Sequence, residues 1–212
     1  MPAARVLEPE WLDELPHTDA RAVRSRRDLV RVNALMGNTR IVAGELARLG
    51  PVRAVAEIGS GDGAFLRSVM RRLGNPVVEM HLVDRQPVGT ITADVFDWLA
   101  DASGPPLDAI VANLFLHHFD DEALRRMLSL VARRARAFIA CEPRRSQAGL
   151  IGARLLGLVG CGEVTLHDAV VSVRAGFGDG ELTALWPALP GWRCEERARG
   201  RFSHGFVARI DG

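Results

Sequence analysis

The chain has no lysine and no tyrosine, so all 27 of its basic residues are arginine, a bias that GC-rich codon usage explains. Without lysine there is no P-loop, which needs Gly-Lys-Ser/Thr to reach the phosphates of a nucleotide. An excess of either charge is also missing, since 27 basic residues face 26 acidic ones for a formal net charge of +1. That balance argues against a nucleic-acid partner, which needs a basic stripe. Cysteine is scarce: Cys141, Cys161 and Cys194 are odd in number and widely separated. They make neither a disulfide framework nor a zinc-ligand spacing, so no metal site is expected and a reducing, cytoplasmic setting fits best. Long apolar runs are lacking too. The most apolar stretch, AGLIGARLLGLVGCG at 148–162, is interrupted by Arg154 and is shorter than the roughly 18 residues of a membrane span. It is expected to form a buried helix or the wall of an apolar pocket. The opening MPAARVLEPEWLDELPH carries acids where an export signal has an apolar segment.

What is present is an ordered alternation. The segment from Thr18 to Gly50 reads as helix, with Leu29, Val32, Leu35 and Met36, then Ile41, Leu46 and Leu49, at three-to-four spacing. Thr18 or Asp19 supplies an N-cap, and Gly37-Asn38 divides the segment in two. Arg24, Arg26, Arg27 and Asp28 are placed on a polar face, either solvated or in contact with an anionic group. From Arg53 onward, short apolar runs are separated by amphipathic helices, the signature of a mostly parallel sheet covered on both faces. The runs are RAVAEI (53–58), VVEMHLVD (77–84), GTITAD (89–94), DAIVANLF (108–115) and AFIACE (137–142). After Glu142 an irregular region containing HDAVVSVRAGFGDG is expected, then a short helix in GELTALWPAL. The tail pairs two strands around Arg199-Gly200, and so close a return requires an antiparallel hairpin. With no repeats or linkers, the 212 residues read as one domain.

The chemistry concentrates at AEIGSGDGAFL, residues 56–66. A strand, a glycine-rich turn and a helix N-terminus make a generic ligand site at the carboxyl edge of a sheet. The glycines at 59, 61 and 63 depart from the G-x-G-x-x-G of dinucleotide folds. Glu57 and Asp62 beside them repel a pyrophosphate and suit an ammonium or sulfonium ligand. Asp84 ends the next strand, where such folds reach ribose hydroxyls. Asp94 ends the one after, within reach of an adenine amino group, with Phe96 and Trp98 near enough to cover the ring.

These residues together resemble the class I S-adenosylmethionine-dependent methyltransferases. The resemblance spans about 53–142 and rests on E-x-G-S-G-D-G at 57–63, Asp84, the Ala93-Asp94 pair and NLFLHHF at 113–119. It implies a Rossmann-like, doubly wound α/β fold with a mostly parallel seven-stranded sheet, an antiparallel C-terminal strand and N-terminal lid helices. Residues 1–50 then form the lid and 51–212 the core. The cofactor implied is S-adenosylmethionine, held by Glu57, Gly59, Ser60, Gly61, Asp84, Arg85, Asp94, Val95, Phe96, Asn113 and Leu114. A further likeness, to small bacterial methyltransferases of the quinone type and of polyketide-associated pathways, makes Arg27, Asn33 and Met36 lid contacts.

Methyl transfer from a sulfonium is an in-line displacement in which positioning does most of the work and a base assists a hydroxyl or carbon acid. His117, His118, His167 and Asp168 are the candidates for that base. His204, alternating with Phe202 and Phe206, reads as a packed strand residue. Arg144 with Arg145, and likewise Arg174, are either solvated or a clamp on an anionic substrate. The expected acceptor is a small, largely apolar metabolite methylated at oxygen or carbon, the protein being a monomer or homodimer. Two competitors stay open: a nicotinamide-dependent oxidoreductase, which Glu57 and the glycine spacing disfavour, and a cofactor-binding regulatory or assembly module that does not methylate.

Overall fold

The computed structural model describes residues 4–74, 79–101 and 103–210. Asp19 caps the first long helix by accepting from the Arg21 amide. Gly37, at φ 73°, ends that helix and starts the next, so α2 (Ala20–Met36) and α3 (Asn38–Arg48) divide at the predicted place. A four-residue α1 (Trp11–Glu14) precedes them. The alternation that follows is β1 (Ala54–Ile58), α4 (Ala64–Leu73), β2 (Glu79–Asp84), β3 (Ile91–Thr92), α5 (Val95–Ala100), β4 (Ala109–Asn113), α6 (Asp121–Arg134) and β5 (Ala137–Pro143). Val77 and Val78, placed in a strand from sequence, lie outside the described residues, as does Asp211 at the end of the predicted hairpin.

The seven strands form one sheet in the order β3-β2-β1-β4-β5-β7-β6. All pairings from β3 to β5 are parallel. β6 (Trp192–Arg199) and β7 (Ser203–Ile210) form the expected hairpin, with β7 antiparallel to β5. Successive strand residues point to opposite faces, so each strand feeds two cores. Ile58, Ile110, Phe138 and Phe206 pack with Leu124, Met127 and Leu128 of α6 on one face. Val55, Val111, Ile139 and Val207 pack with Leu46 of α3 and Leu66 and Val69 of α4 on the other. Burying each such side chain contributes about 1.5–3 kcal/mol. Strand order reverses between β1 and β4, and that switch point is where open α/β sheets bind ligands.

The region after β5 departs from expectation in part. α7 (Gln147–Leu155), a 3-10 turn at Leu156–Val159 and the short α9 (Glu181–Leu185) fall where helices are expected, but much of HDAVVSVRAGFGDG, expected as irregular, is helical in α8 (Glu163–Ala175). The reason lies in α8, which is buried at Val164, Thr165, Asp168, Val171 and Val173 and so lacks a single apolar stripe. Asp28 also departs from its predicted polar face. It is buried and accepts hydrogen bonds from the Gly162 amide (2.8 Å) and the Thr165 hydroxyl (3.2 Å), tying α2 to the start of α8.

Candidate active site

A cavity of about 1050 Å³ opens at the carboxyl ends of β1, β2 and β4, between the sheet edge and a cover made of the N-terminal segment, α2, α7 and α8. Its floor is the glycine turn. Gly59 and Gly63 sit at φ 67° and 73°, and a Cβ on Gly59 would stand 2.0 Å from the Phe115 ring, so the turn closes only with glycine there. Three of the amides that such loops offer to phosphate are already taken by carboxylates. Gly61 N–H donates to Asp84 Oδ2 (2.8 Å), Ala64 N–H to Asp62 (3.0 Å) and Leu66 N–H to Glu57 (3.2 Å). A phosphate has to displace the protein's own carboxylates, which argues against an anion site at the start of α4.

Glu57 is 2% exposed, and burial pushes its pKa up to about 8, the Leu66 amide opposing only in part. At neutral pH it is largely protonated, which corrects the expectation that it supplies negative charge to the cradle. Further acids, among them Asp62, Asp84, Asp94, Glu8 and Asp13, line the cavity, with Arg26, Arg85 and His117 among the basic residues beside them. Asp84 sits on the wall, its other oxygen accepting from the Gln86 amide (2.8 Å). Asp94 lines the wall and also caps α5 through the Phe96 amide (2.8 Å). Ser60, Val95, Asn113 and Leu114 complete this end. Leu114, at φ 54°, is the one non-glycine residue with positive φ among the described residues, and it bends the chain sharply after β4. Phe96 is corrected: it lies outside the wall because its ring packs edge-on against Phe119 (5.9 Å) beneath the Arg126 guanidinium. Trp98 likewise faces His81 and Arg134.

The lid residues Asn33 and Met36 reach the cavity, whereas Arg27 points to solvent and Arg26 takes its place on the wall. Asn38, buried at the start of α3, donates to Asn113 Oδ1 (2.9 Å) and to Asn33 Oδ1 (3.1 Å). Ser203 of β7 donates to Asn38 Oδ1 (2.7 Å), so one polar chain joins the lid hinge, β4 and β7.

The far end is closed by residues 4–19, a strap across the top. Arg5 pins it by donating to Ala175 O (2.8 Å), Phe119 O (2.8 Å) and Asp121 (3.0 Å). Asp168 pins its middle by accepting from the Trp11 amide (2.8 Å) and the Leu12 amide (3.0 Å). Asp168 does line the cavity, but both its oxygens serve the strap. His167 is corrected outright: its ring stacks on Trp11 (3.9 Å) and bonds Asp168 (2.9 Å), off the cavity wall. Arg144 and Arg174 are corrected as well. They pair with Asp179 and Glu8, each at 3.5 Å, and neither lines the cavity. His204 is fully buried against Glu196 (2.8 Å), as its strand position predicts.

Beneath the strap, His117 is clamped between two carboxylates, Nδ1 to Glu142 (2.7 Å) and Nε2 to Glu10 (3.2 Å). Burial alone lowers its pKa, but the hydrogen bonds to Glu10 and Glu142 outweigh it and hold it near 9. His118, 24% exposed at the side chain, stands 3.4 Å from Asp13 and 3.9 Å from the second Glu10 oxygen. Burial, then the charge on His117, lowers its pKa. Both rings line the cavity. Glu10, Asp13 and Glu142 form this site without having been singled out in sequence. Glu10 and Asp13 lie in a polar N-terminal segment whose pattern carries no signal of its docking.

No protein-family model matches the chain, and no curated protein matches it in a sequence search. Solved structures do resemble it in fold. An O-methyltransferase family protein from Burkholderia thailandensis superposes with a TM-score of 0.61 at 18% identity, over 91% of this chain. The plantazolicin methyltransferase BpumL in complex with SAH superposes with a TM-score of 0.70 at 9% identity, over 94% of this chain and 93% of that one. Human N-acetylserotonin methyltransferase in complex with SAM gives 0.55 at 13% identity, over 94% of this chain. The chain spans 60% of the length of the Burkholderia protein and 61% of the human one. The fold of this chain is that of the S-adenosylmethionine-dependent methyltransferases.

Proposed function

We infer that this protein transfers the methyl group of S-adenosylmethionine to a small, largely apolar acceptor, at oxygen or carbon. The observation that carries the reading is the cavity itself: acid-lined, at the strand-order switch point, with the Gly61, Ala64 and Leu66 amides at its glycine turn already held by carboxylates. A sulfonium is stabilised by such a wall and a pyrophosphate is not. Asp84 serves the ribose and Asp94 the adenine, while Gly59, Ser60, Gly61, Asn113 and Leu114 border the methionine portion. Arg85 and Val95 flank the nucleoside.

The acceptor occupies the far end, under the strap. Val30, Leu35, Leu155 and Val159 are exposed and also line the cavity, so its mouth is apolar. This favours a phenolic, quinone-like or polyketide-like molecule over a sugar. The reacting group of the acceptor meets the corner formed by Glu10, His117 and His118, where His118 offers a nitrogen lone pair to a proton or another electrophile. The whole chain works as one unit, with residues 1–50 as lid and 51–212 as core, in the cytoplasm and on a small-molecule substrate.

Isothermal calorimetry with S-adenosylmethionine, its demethylated product and NAD tests the reading. Micromolar binding of the first two with no heat from NAD is expected. Binding of NAD alone assigns the cavity to a dinucleotide and rejects methyl transfer. Binding of the cofactor with no methyl transfer to any phenolic or quinol acceptor favours the non-methylating module.

A further inference from the structure

We propose that Glu10, His117 and His118 form a binding site for one divalent transition-metal ion in the wall of the acceptor end of the cavity. One ligand atom from each of the three lies within 4.8 Å of the others. Ligands on a single tetrahedral ion stand about 3.3 Å apart, given metal–nitrogen bonds of about 2.0–2.1 Å. His117 Nε2 and Glu10 Oε1 are already at 3.2 Å, and a small rotation of His118 closes the 3.9 Å gap to Glu10 Oε2.

A histidine that binds a metal through one ring nitrogen characteristically donates from the other to a carboxylate, which fixes the tautomer and raises the basicity of the ligating nitrogen. Here Glu142 makes that bond to His117, and Asp13 stands at a looser distance from His118. Glu142 holds His117 Nδ1 at 2.7 Å and leaves Nε2 facing Glu10. Asp13 stands 3.4 Å from His118 Nδ1 and leaves Nε2 facing the same carboxylate. Glu142 is itself fixed, because its other oxygen accepts from the Phe115 (3.0 Å) and Leu116 (2.9 Å) amides. In the metal-free protein His117 Nε2 and Glu10 Oε1 share a hydrogen bond, and the ion takes its place between them.

Two imidazoles and one carboxylate suit zinc or ferrous iron, whereas magnesium and calcium take all-oxygen sets. Three protein ligands leave at least one position open, and all three residues line the cavity, so the open position faces the acceptor. The site's chemical role, though not the site itself, rests on the methyltransferase reading. An acceptor hydroxyl that binds the ion releases its proton to solvent water. Its oxygen lone pair then forms the new bond to the methyl carbon as the carbon–sulfur pair departs to sulfur, leaving a neutral thioether.

The test needs neither cofactor nor acceptor. Chelator-stripped protein is titrated with Co²⁺, followed by its visible d–d absorption, and then with Zn²⁺ in competition. One equivalent of Co²⁺ is expected, displaced by Zn²⁺. Glu10→Gln and His118→Ala are expected to weaken Zn²⁺ by at least ~100-fold, and Asp13→Asn by about 10- to 100-fold, as outer-shell partners do. His117 is left intact because it is buried between two acids, and circular dichroism verifies that the other variants fold. Absence of a d–d signal at millimolar Co²⁺, or equal affinity in wild type and His118→Ala, overturns the proposal. Loss of cofactor binding with the metal site intact instead removes the methyltransferase reading alone.

Discussion

Glu57 puts a carboxyl group in the wall of the cavity yet contributes little charge at neutral pH. Its pKa, raised from 4.5 to about 8 by burial, means that the folded protein keeps a proton that the unfolded chain has lost in that interval. The stability Glu57 contributes is therefore fully present below pH 4.5 and is lost as pH rises through 8, by up to about 1.4 kcal/mol per pH unit. Glu57→Gln retains an acceptor for the Leu66 amide and does not titrate. Urea midpoints of wild type and variant at pH 5, 6.5 and 8 are expected to diverge in the variant's favour with rising pH, and parallel curves reject the assignment. Asp84→Ala removes a ribose partner and frees the Gly61 amide, so cofactor affinity is expected to fall about 10- to 100-fold, the equivalent of one charge-assisted hydrogen bond. Calorimetry at matched folded fraction measures this, and unchanged affinity would falsify the role. The positions of Glu57 within β1, Asp84 at the end of β2 and Asp94 just beyond β3 were readable because each strand is set by a local pattern. The directions of Phe96, His167, Arg144 and Arg174 were not, because they depend on what docks against each position from elsewhere in the chain.

At the scale of elements, the strap has no stability of its own. Its α1 helix has four residues, far below the dozen or more at which an isolated helix becomes marginal in water. Asp168 supplies what is missing by capping the first two amides of that helix. Asp168→Ala is expected to speed hydrogen exchange at the Trp11 and Leu12 amides by roughly 10- to 100-fold, while the amides of β4 and β5 keep their protection. Unchanged exchange at Trp11 and Leu12 would show that Arg5 and the Glu10–His117 bond hold the strap without Asp168. The amphipathic helices α4 and α6 were readable from one apolar stripe each. α8 was not, since it packs against α7, α2 and the strap on different sides. The strap was hidden for a related reason: the bond from Trp11 to Asp168 joins residues 157 positions apart.

Across the whole molecule, alternating strands and helices made a parallel sheet readable, and a tight turn at Gly200 made the final hairpin so. The order β3-β2-β1-β4-β5-β7-β6 carries information that no local window holds. It also decides what the sheet shows at its two ends. β3 has only two residues, and β6 alternates exposed Arg193, Glu195 and Arg197 along its outward-facing side. A short strand gives a stranger little to pair with, and a charged one imposes desolvation on any strand that adds to it. The composition that offers no lysine therefore still furnishes colloidal protection: the sheet terminates at both margins instead of templating the next copy.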